Sequence, residues 1–214
     1  MGNLSELSME RWNIAQNIEK ICHEGVLSEL IKHYTSVYKI YFKLVDLPED
    51  LNLNGKSIME IGPAKISAIS ICQNYKQSYV IEPIIYDTGD YYTDKSNINF
   101  IREPAETCFF PNVDEVWLFN ILQHVINPVK IINNCKKYSK IIRFFEPIDW
   151  EINDAHPHKF DINFYKTHFG LNNTHLYVGN SISNFHSSNC AYGVYKNVDV
   201  INSMLPDESS TLTQ

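Results

Sequence analysis

The chain has 214 residues, 44% hydrophobic and 20% charged, with a formal net charge of −7, which fits one domain with a sizeable core and some length left for an extra helical segment. An acidic chain whose lysines and arginines scatter lacks the basic footprint of a nucleic-acid partner. No apolar run approaches the roughly 18 residues of a membrane span, so no membrane partner is expected.

The first residues, Met1 to Glu6, lack a signal-peptide core. Five cysteines are scattered with no C-x-x-C pair, which reads as a cytoplasmic chain with free thiols. Residues 5–46 read as helical. Trp12, Ile14, Ala15, Ile18 and Ile21 recur at three-and-four spacing, and so do Leu27, Leu30, Ile31, Tyr34, Val37, Tyr38, Tyr41 and Phe42. Residues 1–50 are therefore expected to form a helical extension, either a lid over a ligand or added core.

Pro48 to Gly55 reads as a loop, Ser57–Ile61 as the first strand, Ile66–Asn74 as a helix and Ser78–Ile81 as the second strand. Asp87 to Asn97 is rich in Asp, Tyr, Gly and Asn and reads as a loop. Asn99–Arg102 and Val113–Phe119 follow as strands. Pro128 sits where a helix starts, because its missing amide proton is not needed in the first turn, and that helix runs to Tyr138. Ile141–Phe145 is the next strand, closed by Glu146-Pro147. Asp149–Lys159 is a polar loop with two histidines. Asp161 is placed to cap a helix over Ile162–His168, with Gly170 as its stop. Thr174–Val178 and Cys190–Tyr195 read as two strands joined by a Ser/Asn-rich link. Strands alternating with helices, then a closing strand pair, give a mostly parallel sheet with helices on both faces. Residues 51–205 form this domain, and 206–214 a flexible tail.

The chemistry gathers at the strand ends. Ser57-Ile58-Met59-Glu60-Ile61-Gly62-Pro63-Ala64 is an apolar run ending in an acid and a tight turn. Tyr79-Val80-Ile81-Glu82-Pro83 ends in a second acid, twenty positions after Gly62. A strand, a Gly turn and a second strand tipped by a carboxylate hold an adenosine-type cofactor, the carboxylate accepting hydrogen bonds from ribose hydroxyls. A dinucleotide fingerprint needs three glycines, and this frame reads Gly62-Pro63-Ala64-Lys65-Ile66-Ser67. Pro63 also removes an amide that a pyrophosphate would use. The turn suits a smaller zwitterionic head, such as the methionine part of S-adenosylmethionine (SAM).

Met59-Glu60-Ile61-Gly62-Pro63-Ala64 resembles the first motif of class I SAM-dependent methyltransferases. Three further blocks strengthen the resemblance. Ala105-Glu106, leading to Pro111 and Asp114, is similar to the family's adenine-lining block, with Pro104 in place of its leading acid. Asn120-Ile121-Leu122-Gln123-His124, followed by Pro128, resembles the family's N-x-L-x-H-x-x-x-P after the fourth strand. His156-Pro157-His158-Lys159-Phe160, with the later Phe169-Gly170, resembles the substrate loop of small-molecule members. The resemblance spans about Lys56 to Gly170.

It implies an α/β fold, a three-layer α/β/α sandwich around a seven-stranded, mainly parallel sheet with an antiparallel last strand. It implies transfer of a methyl group from SAM to a small-molecule or sugar-like acceptor by direct displacement, with S-adenosylhomocysteine (SAH) as product. Cofactor contacts are expected from Glu60, Gly62, Pro63, Ala64, Glu82, Pro83, Ala105, Glu106, Asn120 and Ile121. His124, His156 and His158 are candidate bases. His124 reads more readily as a structural hydrogen-bonder that orients the loop, since a lone His has many ordinary uses. The His156/His158 loop, with Glu151 and Asp154 nearby, reads as substrate contact or as plain loop. A zinc site there lacks a third spaced ligand, so no metal is expected.

Several other classes are set aside. No Asn/Asp-Pro-Pro-aromatic motif of amino-methylating DNA enzymes occurs, nor a Pro-Cys nucleophile. Tyr-x-x-x-Lys pairs at Tyr91/Lys95 and Tyr192/Lys196 fall in a loop and a strand, where they cannot share a helix face. A SAM-binding protein without catalysis and a nicotinamide-dependent enzyme remain as alternatives.

Overall fold

The computed structural model describes residues 6–86, 97–179 and 188–198. The loop read from Asp87, the link ahead of Cys190 and the tail from 206 fall largely outside these residues, as does the Tyr91/Lys95 pair.

Two helices come first, α1 (Met9–His23) and α2 (Leu27–Leu44). Ser8 caps α1 by accepting a hydrogen bond from the Arg11 amide at 3.2 Å. Seven strands follow: β1 (Ser57–Ile61), β2 (Gln77–Ile81), β3 (Ile98–Ile101), β4 (Val113–Phe119), β5 (Ser139–Pro147), β6 (His175–Tyr177) and β7 (Cys190–Lys196). They form one sheet in the order β3-β2-β1-β4-β5-β7-β6. The first five run parallel, and β7 lies antiparallel between β5 and β6. The last strand is therefore the antiparallel one, as expected.

Helices α3 (Pro128–Tyr138) and α4 (Ile162–Phe169) begin where their caps stand. Asn127 accepts from the Lys130 amide ahead of Pro128, and Asp161 accepts from the Phe164 amide. The period of two along β4 divides the core. Val116 and Leu118 join Met59, Ile61, Ile142 and Phe144 beneath α3 and α4. Trp117 and Phe119 face α2, where Val37, Tyr38, Tyr41 and Phe42 are buried. Phe144 stacks on Phe169 and Tyr41 leans on Phe145, with ring centroids 4.3 Å apart in each pair. Each such buried side chain stabilises the fold by about 1.5–3 kcal/mol. Helix α2 is thus part of the core.

One element differs from its sequence reading. Residues 66–74 form only a short 3-10 turn, Ala68–Ile71, instead of a helix. Ser67 caps it through the Ile69 amide, and the buried Glu60 carboxylate accepts from Ser67 Oγ and the Ala68 amide. Asn74 takes positive φ, and Gln73 bridges to Asn52 in parallel fashion, which draws the chain into extension. Serines and β-branched isoleucines leave the segment with little helix preference against these bonds.

Candidate functional site

A cleft opens at the carboxyl ends of β1, β2 and β4, roofed by α1 and α2. That is where open α/β sheets place their ligands. The β1 turn forms one wall. Gly62 has φ +61°, and a Cβ there would stand 2.1 Å from Ile121 Cδ1. Only glycine lets β1 end this close to the turn after β4. Ala64 and Asn120 also adopt left-handed φ, 57° and 60°.

Glu82 closes β2. It is buried, and it lines the cleft. Oε2 accepts from the Ala64 amide and Oε1 from the Ile84 amide, each at 2.9 Å. A carboxylate offers about four acceptor positions, so two remain for a ligand's hydroxyls. Burial pushes this carboxyl up to about 7, against the pull of the two amides and Arg102. Glu106 also lines the cleft, but its Oε1 accepts from the amides of Ile126 (2.7 Å) and Asn127 (2.9 Å), which fixes the entry to α3.

The expected site residues divide in two. Gly62, Pro63, Ala64, Glu82, Pro83, Ala105, Glu106, Asn120, Ile121 and His124 all lie on the cleft wall. Glu60, His156 and His158 do not. Glu60 turns back to hold the 67–69 turn, and burial pushes it up to about 7. His158 is buried with Nε2 2.7 Å from the Val125 carbonyl oxygen. His156 packs behind His124, ring centroids 4.8 Å apart. Glu151 pairs with Lys159, and Asp154 with Arg11.

Five supporting residues carry no functional role in the sequence reading. Glu146, at the end of β5, accepts from the amides of Ile121 and Leu122 at 3.0–3.1 Å and so shapes the turn carrying Asn120 and His124. Burial pushes it up to about 8. Trp12, Gln16, Glu19 and His23 sit at i, i+4, i+7 and i+11 of α1 and all face the cleft. That run of mixed polarity along one helix face was the available signal. Helix α1 is held by polar contacts more than by core. Gln16 Nε2 donates to the His124 carbonyl at 3.1 Å, Leu7 N to Ile126 O, and Arg11 to the carbonyls of Asn153 and Asp154.

Glu19, His124 and His156 offer ligand atoms within 4.8 Å of one another. The partners beyond each ring fix its tautomer. Gln123 Nε2, which also donates to Asn120 Oδ1, donates to His124 Nε2, so the His124 proton is on Nδ1, 3.1 Å from the Ala155 carbonyl. Asn153 Oδ1 accepts two backbone amides, so its amide nitrogen donates to His156 Nδ1. Neither imidazole has a spare lone pair for a metal ion. Burial lowers His124 to about 4, which keeps it neutral.

The seven-stranded sheet and its flanking helices are those of one known architecture. Its solved relatives include the N-methyltransferase NodS of Bradyrhizobium japonicum WM9 in complex with SAH, which aligns at TM-score 0.58 and 14% identity over 86% of this chain and 98% of that one. Magnesium protoporphyrin IX methyltransferase (ChlM) from Synechocystis PCC 6803, with bound SAM, aligns at TM-score 0.55 and 14% identity over 90% and 100%. This chain has the class I methyltransferase fold. No family model and no curated protein matches its sequence. Within that fold the cleft lies at the carboxyl ends of the paired strands β1 and β4, the switch point at which the strand order reverses. Among the described residues, no helix is long and apolar enough to cross a membrane.

Proposed function

We propose that this chain is a SAM-dependent methyltransferase acting on a small-molecule or sugar-like acceptor. The observation that carries the reading is Glu82. A buried carboxylate with two acceptor positions left faces the cleft at the carboxyl ends of the strands, beside a glycine turn. Further support comes from the SAH and SAM held by the NodS and ChlM structures of the same fold.

SAM, when bound, supplies an activated sulfonium methyl. The chain's own residues bind and orient. Glu82 accepts the ribose hydroxyls. The Gly62-Pro63-Ala64 turn faces the amino-acid end, and Pro83, Ala105 and Glu106 border the adenine. Asn120 and Ile121, positioned by Glu146, face the sulfur side. Glu60 acts through the 67–69 turn behind the wall. His124, neutral and bonded at both nitrogens, orients the turn. Helix α1 serves as the lid, which limits water and holds the acceptor in line; such alignment can supply much of the rate. A cytoplasmic setting belongs to the same reading, supported by five cysteines with free thiols.

Calorimetric titration with SAH, with NAD as control, tests this. Micromolar binding of SAH and none of NAD is the expected result. Binding of NAD alone would replace the reading with a nicotinamide enzyme.

A further inference from the structure

The protons around the cleft indicate which acceptor it is built for. Tyr34 of α2 lies 2.6 Å from His23 Nδ1, and His23 Nε2 lies 3.1 Å from Glu19 Oε2. All three line the cleft. The Glu19 carboxylate accepts only, so the His23 proton sits on Nε2 and the Tyr34 hydroxyl donates to Nδ1. Burial alone would raise Glu19, and the hydrogen bond from His23 holds it below the usual carboxylate range. Burial raises the Tyr34 phenol, which keeps it a hydroxyl.

This chain differs from the other two histidines in what occupies its lone pair. His124 and His156 accept from side-chain amides, which cannot pass a proton on. His23 accepts from a hydroxyl, which can take a proton on one side and release one on the other. Charge points the same way. The described residues lining the cleft include Glu19, Glu82 and Glu106 and no lysine or arginine. Trp12, Tyr34, Tyr38 and Tyr41 add aromatic surface, which favours a cation over an anion.

We propose that Tyr34, His23 and Glu19 form a proton relay that deprotonates a cationic amine acceptor in this cleft. The inference rests on the methyl-transfer reading above and names its acceptor class. An ammonium nitrogen has no lone pair and cannot attack. Its N–H bond breaks as its proton joins the Tyr34 oxygen, while the Tyr34 proton passes to His23 Nδ1. The lone pair stays on the amine nitrogen, and the imidazolium that forms is paired with Glu19. Tyr34 touches the acceptor. His23 and Glu19 act behind it.

Nitrogen-15 NMR of the full chain saturated with SAH reads the relay without turnover. The expected spectrum has His23 protonated on Nε2, with Nδ1 accepting a hydrogen bond whose signal moves in Tyr34→Phe while His158 stays unchanged. A proton on His23 Nδ1 would overturn the relay. Turnover then reads the acceptor class. With SAM, SAH release is expected with primary and secondary amines and not with carboxylate or phosphate-bearing alcohols. Tyr34→Phe and His23→Asn should each lower kcat by about 100-fold or more, a general-base effect. The amine KM and the SAH affinity should stay within about twofold, a split that mere loss of packing would not give. Preference for acidic acceptors, silence of every amine in the panel, or full kcat in both variants would refute the proposal. Failure of the parent chain to bind SAH would remove the methyltransferase reading, while the His23 tautomer in the ligand-free chain still decides the relay.

Discussion

Two clusters of buried acids sit at opposite ends of the strands, and they are built differently. Toward the amino end of β4, Glu115 is fully buried. It accepts from Arg143 Nε at 2.7 Å and Nη2 at 3.1 Å, from Lys56 Nζ at 2.7 Å and from Trp117 Nε1 at 3.2 Å. Its acceptor positions are filled, and Arg143 also reaches the Val45 and Asp46 carbonyls just after α2. The bonds and charges of Arg143 and Lys56 hold Glu115 below the usual range, overcoming its burial. At the carboxyl ends, Glu82, Glu60 and Glu146 meet backbone amides and are pushed upward by burial. A saturated ion cluster fastens the fold. Carboxylates held by amides shape a cleft, and Glu82 keeps capacity for a ligand.

The largest expected effect breaks the first cluster. Arg143→Ala leaves Glu115 with half its charge partners in a buried place and should cost about 3–5 kcal/mol in denaturant unfolding. SAH affinity per folded molecule should not change. Gly62→Ala comes next. It forces a side chain into left-handed φ and onto Ile121, and should cost about 1–2 kcal/mol from the backbone alone, together with SAH affinity. Glu82→Gln keeps an acceptor for one amide and removes the charge. Loss of charged hydrogen bonds worth about 1.5–3 kcal/mol each should weaken SAH at least tenfold, with a smaller loss of stability than in Arg143→Ala, about 1–3 kcal/mol for the one amide left without an acceptor. Equal losses of stability and affinity in both Arg143→Ala and Glu82→Gln would erase the contrast between the clusters.

The smallest effect is in pH. Glu60 and Glu82 near 7 and Glu146 near 8 lie above the usual unfolded carboxyl value. The folded chain therefore holds protons that the unfolded chain has released, and stability falls as pH rises through these values. Below about pH 6.5 the buried neutral His124 opposes this trend, since it must charge on unfolding. The clean window is about pH 6.5 to 8.5, where melting temperature should decline. A rise across that window would contradict the raised values.

Much of the fold was legible from the sequence. β1, β4 and α3 begin and end where the hydrophobic runs and Pro128 place them. The 66–74 segment was not, because its outcome depends on a buried acid eight residues away from Ala68. The same bond explains Glu60. An acid at a strand tip reads as ligand-facing, and only the fold turns it inward. The cleft residues Gly62, Glu82 and Asn120 were legible because local motifs carry them. Glu19, His23 and Tyr34 were not. They come from two helices read by their apolar stripes, and the contact between His23 and Tyr34 joins residues eleven apart across a helix boundary.

A crystal structure of the SAH complex tests the central claim most directly. The account predicts ribose hydroxyls within hydrogen-bond reach of Glu82, the adenine against Ala105, and the sulfur turned toward the face of the cleft that carries Tyr34 and His23. SAH bound elsewhere, or with its ribose away from Glu82, would contradict it.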